Sequence, residues 1–326
     1  MTRSKQQNEF SKSEENNAPF WRRLLIYQKE RFPILGHGLL VATFSFSAVS
    51  YSRICRGATG FISPGIFATG IFTTVSLFLL VRIFDEFKDA EDDAQYRKEL
   101  AVPRGLISFY ELKCMAVVTI ILQVTLNLII APVMLVIYFA IMAYLFLMTK
   151  EFFIPARLKK HPFWYVTSHM FIIPFIDVYA SGLDWLLAGA KAPIGLLFFF
   201  GVSYMNGIVL EIGRKIRVPE KESPGVDTYT SMLGIKSAIT LWLGMLTVTL
   251  ALSMAASYFA AYGIIIQAVL CLLYVLCSIP AMLFLKNPTE KSSKIIEYSA
   301  AIWTVGMYFT LGAGPMISTL LPNQFL

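Results

Sequence analysis

Nine runs of apolar, almost uncharged residues, most of them close to 20 residues long, leave this chain few ways to fold. A helix needs about 20 such residues to cross the roughly 30 Å hydrocarbon core of a bilayer. Within that core only helices or closed barrels satisfy every backbone amide and carbonyl. The runs fall at 34–53, 62–84, 108–131, 133–149, 163–182, 193–211, 236–258, 263–285 and 297–321. Composition agrees, since only 15% of the residues are charged against roughly 25% in soluble domains. The expected fold is an all-α membrane protein of about nine transmembrane helices, one multi-pass domain over 19–326 solvated by the lipid bilayer. Residues 1–18 are polar and rich in Ser, Asn, Lys and Glu, which predicts a disordered tail. No apolar segment with a cleavage site opens the chain, so no removable leader is expected.

Loop lengths and charges order the spans. Pro132 and the stretch 260–263 are tight breaks, whereas 85–105, 150–162, 212–235 and 286–296 are long polar loops on the other side. That side holds Arg22, Arg23, Arg97, Lys98, Arg157, Lys159, Lys160, Arg214, Lys215, Arg217, Lys291 and Lys294, while the opposite side keeps Arg53, Arg56 and Lys191. An excess of Lys and Arg in short loops marks the cytoplasmic face. The N-terminus and the polar loops are therefore expected to be cytoplasmic and the C-terminus outside. The net charge of +7 is a topology signal of this kind, and no nucleic-acid partner is expected. Residues 20–32 (FWRRLLIYQKERF) mix aromatics with cations and predict an amphipathic helix lying in the interface. Cys55, Cys114, Cys271 and Cys277 form no metal-binding spacing and read as small packing residues.

The end of the second span carries the chemistry. Asp85, Asp89 and Asp93 recur at i, i+4 and i+8, which places them within about 80° of arc on a helix. Three carboxylates on one stripe repel one another unless a cation sits among them. Hard oxygen ligands at a site that keeps waters and shares phosphate oxygens suit Mg2+. Arg97, Lys98 and Arg104 come directly after them, and acids beside cations are what a diphosphate requires.

The end of the sixth span is different. Glu211 is followed by Arg214, Lys215, Arg217 and Lys221. Lys215, four residues on, either pairs with Glu211 as an ordinary helical ion pair or stands as a fixed positive charge on a phosphate in place of a second metal. Polar residues inside spans are costly and often line a cavity. The candidates are Gln123, Asn127, His169, Tyr204 and Asn206, with Asn206 about 7 Å deeper than Glu211. Asp177 lies deeper still, away from the polar loops.

The stretch Asp85-Glu86-x-x-Asp89-x-x-x-Asp93 resembles the N-D-x-x-D-x-x-x-D motif of the UbiA superfamily of intramembrane prenyltransferases. Arg97 and Pro103-Arg104-Gly105-Leu106-Ile107-Ser108 are similar to the Arg and the P-S-G-x-I-S stretch that the family carries after that motif. Asp85, Glu86 and Arg104 depart from the family's Asn, Asp and Ser. The second family motif, D-x-x-x-D, is matched by Glu211 but departs at Lys215; Gly225, Thr228 and Gly234 resemble the loop residues after it. The resemblance implies a helical bundle around a central cavity that takes a prenyl diphosphate and a small, aromatic or lipid-like acceptor. It implies Mg2+ on Asp85, Asp89, Asp93 and Glu211 as the catalytic set. Diphosphate would be held by Arg97, Lys98, Arg104, Arg214, Lys215 and Arg217, with Gln123, Asn127, His169, Tyr204 and Asn206 lining the substrate cavity. Two other readings are a terpene cyclase of the same superfamily and a transporter. A transporter would carry acids at mid-membrane depth in paired broken helices, whereas these lie at helix ends. The oligomeric state is not legible.

Overall fold

The computed structural model describes residues 15–222 and 227–321, and no strand occurs among them. Helix α1 (Phe20–Arg31) precedes a short π turn (Ile34–Gly38) that leads into α2 (Leu39–Cys55). Next come α3 (Pro64–Lys88), the short α4 (Ala90–Tyr96), α5 (Phe109–Ile130) and α6 (Leu135–Thr149). The short α7 (Pro155–Lys160) precedes α8 (Pro162–Met170) and α9 (Ile172–Trp185), which together make the fifth span. The remaining elements are α10 (Gly195–Arg214), α11 (Tyr229–Phe259), α12 (Ile264–Lys286), α13 (Glu290–Tyr308) and α14 (Gly314–Leu320). Among the described residues, nine helices are long and apolar enough to cross a membrane.

All nine expected spans are present, and two begin earlier than hydropathy suggests. The seventh starts at Tyr229 and the ninth at Glu290, because Thr228 and Thr289 cap those helices through reciprocal bonds with Ser231 and Ser292. Capping residues start a helix while the sequence is still polar. In α11 the early turn is set apart by Gly234, with a φ of 76° that no bulky residue adopts readily. The apolar run expected from 236 begins just beyond it. The tail expected over 1–18 lies largely outside the described residues. Its last part is anchored, as the Asn16 amide donates to the Arg104 carbonyl at 2.6 Å.

Burial sorts the spans into an inner and an outer set. The fifth, sixth and ninth are more than half buried, while the third and eighth present mostly outward faces. Helix α10 packs between α11 and α13, α9 lies against α2 and α3, and the π turn before α14 meets α2, which closes the ring. That closure is tight: a Cβ on Gly312 would fall 2.4 Å from the Ser47 carbonyl oxygen. Close backbone approach at small residues is how helices pack where lipid supplies no hydrophobic drive.

The inner faces hold polar groups, and these explain two corrections. Gln123 and Asn127, expected to line a cavity, are fully buried. Gln123 donates to Ser76 Oγ at 2.8 Å and accepts from the Tyr138 hydroxyl at 2.8 Å. Asn127 donates to Thr73 Oγ1 at 2.9 Å and accepts from the Tyr179 hydroxyl. The second to fifth spans are thus stitched together by side chains that answer one another, and the amide donors of Gln123 and Asn127 are taken up within the bundle. Deeper in the bundle, the Ser203 hydroxyl donates to Asp177. At the end opposite the acidic stripe, Asp184 takes Ser52 Oγ at 2.7 Å, Arg53 at 3.0 Å and Arg56 at 2.7 Å.

Candidate active site

The acidic stripe survives the junction between α3 and α4. The Asp89 amide donates to the Asp85 carbonyl at 2.8 Å, Asp93 to Asp89 at 2.8 Å and Arg97 to Asp93 at 2.9 Å. The i→i+4 ladder therefore carries the three acids past the end of the span with their spacing intact. Their exposures differ: the Asp85 side chain is 27% exposed, Asp89 38% and Asp93 5%. Burial pushes the Asp89 carboxyl up to about 6, with Lys88 opposing it. Burial also raises Asp93, against the pull of Arg97 and Arg31.

Lys88 is the first answer to the repulsion among these acids. Its ammonium lies 3.0 Å from Asp85 and 3.7 Å from Asp89, and donates to the Tyr165 hydroxyl at 3.0 Å. Within the motif Lys88 occupies a variable position, so sequence reasoning passed over it. Tyr165 carried no signal of its own.

Glu86 turns away from the stripe. It accepts from Arg31 Nε at 2.6 Å and from Arg82 at 3.2 Å. Arg31 also lies 3.8 Å from Asp93, whose other oxygen is 3.2 Å from Arg97. Arg31 belongs to α1, the predicted interfacial helix, and no local signal links it to residues 55 positions away. The same helix sends Arg23 to Glu111 at 2.6 Å and Glu30 to Arg104 at 2.7 Å. Arg104, expected on the diphosphate, is thus clasped bidentately by Glu30 and only 9% exposed. Its fork matches a carboxylate, and α1 brings one. Lys98 stays exposed.

In the second polar loop, Glu211 is buried and both carboxylate oxygens are engaged. Arg214 Nε donates to one at 2.7 Å and Lys215 Nζ lies 3.0 Å from the other. Of the two readings of Lys215, the structure shows the helical ion pair. Arg214 and Arg217 are exposed. Thr228 caps α11 and donates to Glu222 at 2.9 Å, while Gly225 lies outside the described residues.

His169 stands between the two loops. Its ring stacks on Tyr165 at 4.1 Å, and the hydroxyl of that tyrosine takes the Lys88 ammonium at 3.0 Å. Nδ1 lies 2.8 Å from the Tyr165 carbonyl, which can only accept, so Nδ1 carries a hydrogen. Nε2 is buried without a hydrogen-bond partner, and so is the Asn206 amide. Tyr204 packs its ring on Phe171 at 4.9 Å. The structure thus brings His169 near the acids while it withdraws Gln123 and Asn127 into packing.

Among the described residues no three His, Cys, Asp or Glu side chains gather into a metal cage. The donor set still fits Mg2+ in one form. Asp85 and Asp89 offer partly exposed oxygens that share one lysine, which suits an ion that keeps its waters and completes its shell with phosphate oxygens. Glu211 meets its two cations at 2.7 Å and 3.0 Å, whereas Asp93 meets Arg97 and Arg31 at the longer distances of 3.2 Å and 3.8 Å.

No protein-family model and no curated protein matches the sequence. Solved structures do match in shape. A digeranylgeranylglyceryl phosphate synthase superimposes with a TM-score of 0.59 at 18% identity, covering 89% of this chain and 98% of that one. The apo structure of a UbiA homolog from Aeropyrum pernix K1 gives 0.62 at 13% identity, covering 86% and 98%. Each match spans most of both chains, so this chain shares the fold of those structures, one of them a UbiA homolog.

Proposed function

We propose that this chain is an Mg2+-dependent intramembrane prenyltransferase that moves a prenyl group from a prenyl diphosphate to a small aromatic or lipid-like acceptor. The observation that carries the reading is the stripe of Asp85, Asp89 and Asp93 at one end of α3, with two of its carboxylates sharing Lys88. One of the two structural relatives is a synthase of digeranylgeranylglyceryl phosphate in membranes, which makes prenyl transfer the chemistry to test. The excess of Lys and Arg at the end that carries the stripe supports a cytoplasmic site.

Asp85, Asp89 and Asp93 would hold the metal, and Mg2+ when bound neutralises the charge of the diphosphate. Lys88, Arg97 and Lys98 from the first loop and Arg214 and Arg217 from the second meet the remaining phosphate charge. As the carbon–oxygen bond breaks, its electron pair leaves with the diphosphate, and fixed cations stabilise that developing charge without reorganising. The acceptor attacks the allylic carbon and gives up a proton. His169, Tyr204 and Asn206 would wall the prenyl-binding cavity, where apolar neighbours would keep water from the cation.

The test is incubation of purified protein with labelled farnesyl or geranylgeranyl diphosphate and Mg2+. Acceptor-dependent product supports transfer, and hydrocarbon released without acceptor indicates a cyclase. If neither diphosphate binds and Asp89→Ala changes nothing, the enzymatic reading fails.

A further inference from the structure

We propose that Arg31, carried by the interfacial helix α1, is a positioning residue that sets Asp93 for the metal and diphosphate; this rests on the prenyl-diphosphate reading above. Asp93 is the most buried acid of the stripe, at 5% side-chain exposure, and its two oxygens face two arginines. Arg97 is 42% exposed and belongs to the same helical turn. Arg31 is 12% exposed and comes from a different part of the chain. Arg31 is therefore the contact that ties Asp93 to the body of the protein.

Glu86 supplies the other half of the device. Its side chain is 1% exposed and accepts from Arg31 Nε at 2.6 Å. One residue beyond Asp85, it points about 100° away around the helix axis, so it does not share the stripe's face. Arg82 steadies it from the preceding turn at 3.2 Å. The fork of Arg31 thus spans from Glu86, fixed in α3, to Asp93 in α4, across the junction where α3 ends at Lys88. A planar guanidinium sets its donors in a fixed fork, with Nε on Glu86 at 2.6 Å and a terminal nitrogen 3.8 Å from Asp93, a geometry that the compact ammonium of lysine does not reproduce.

Helix α1 is itself held at three points. Arg23 meets Glu111 at 2.6 Å, Glu30 meets Arg104 at 2.7 Å, and Arg31 meets Glu86. Phe20, Trp21 and Leu25 point outward on it, as on a helix lying in the headgroup region. The helix is a strap across the first loop, with the position of its Arg31 fixed by those contacts. Arg31 acts on diphosphate through Asp93 and is not itself a diphosphate ligand.

Positioning and plain charge predict opposite signs for one substitution, and the experiment uses that. Full-length protein in detergent would be titrated with Mg2+ while binding of farnesyl thiodiphosphate, an analogue that resists ionisation, is followed. Arg31→Gln removes a cation, whereas Glu86→Gln removes an anion and makes the site more positive. If Arg31 positions Asp93, both variants raise the Mg2+ needed for half-saturation by about tenfold, and the double variant is no worse than the worse single one. Arg31→Lys, which keeps the charge without the fork, recovers less than half of the loss.

An unchanged or tighter Glu86→Gln beside a weakened Arg31→Gln overturns the proposal in favour of simple charge. An unchanged Arg31→Gln overturns it outright. Should the glutamine variants fail to fold, Glu86→Asp moves the anchor by one methylene. It is expected to raise the Mg2+ requirement about threefold, and no change there overturns the proposal. A wild-type protein that binds no analogue at any Mg2+ concentration removes the prenyl-diphosphate reading itself, and that failure is visible before any variant is made.

Discussion

The two ends of the bundle treat their acids in opposite ways. Asp184 is one fully buried carboxylate answered by Arg53, Arg56 and Ser52. Asp85 and Asp89 are two carboxylates that share one lysine. The first arrangement leaves no oxygen in need of a partner, and such a cluster fixes helix ends in place. The second leaves carboxylate oxygens partly exposed and short of positive charge, which is the condition for taking a cation. Acidic residues at helix ends are common to both; the ratio of partners separates a structural cluster from a candidate site.

Breaking the closed cluster should have the largest effect on stability. Asp184→Ala leaves two arginines without their anion, and losing one partner of a buried pair costs about 3–5 kcal/mol. A large drop in thermal midpoint in detergent is expected, with Mg2+-dependent analogue binding intact in the fraction that stays folded. Loss of Mg2+ dependence with unchanged stability would erase the distinction between the two ends.

The open pair should respond the other way. Asp89→Asn is expected to weaken Mg2+-dependent binding of farnesyl thiodiphosphate by about 100-fold, or roughly 2.7 kcal/mol, while thermal stability holds or rises because the neutral amide relieves repulsion with Asp85. Protonation should reproduce part of this loss. Burial raises the Asp89 carboxyl to about 6. Above that value it is charged and can ligate; below it a proton competes with the metal. Apparent Mg2+ affinity should therefore fall by up to about tenfold per pH unit below about 6, and Asp89→Asn should flatten the profile.

The smallest effect sharpens the role of Lys88. Tyr165→Phe removes the hydroxyl that accepts from its ammonium at 3.0 Å. A hydrogen bond to a charged group contributes about 1.5–3 kcal/mol when both partners are buried. Partial exposure of the neighbouring acids lets water replace some of it, so a loss of about fivefold in analogue binding is expected. An equal loss in Asp184→Ala would show that the effect is global and not confined to the open pair.

Much of this molecule can be read along one dimension. Span length and hydropathy located the nine helices, because bilayer thickness acts on each segment separately. The i, i+4, i+8 spacing located the stripe, because helix periodicity is a local property. Even the Glu211–Lys215 pair was one of the readings open at that spacing. Helix crossings decided the rest. Arg31 and Glu30 reach Glu86 and Arg104 from 55 and 74 positions away. Gln123 and Asn127 find their partners on the second, fourth and fifth spans. Sequence by itself determined that acids and cations meet at one end of an all-helical membrane bundle. Which acid is neutralised, which arginine is withdrawn into a strap and which amides vanish into packing depended on the tertiary structure. Local spacing cannot encode which distant donor arrives first at a buried acceptor.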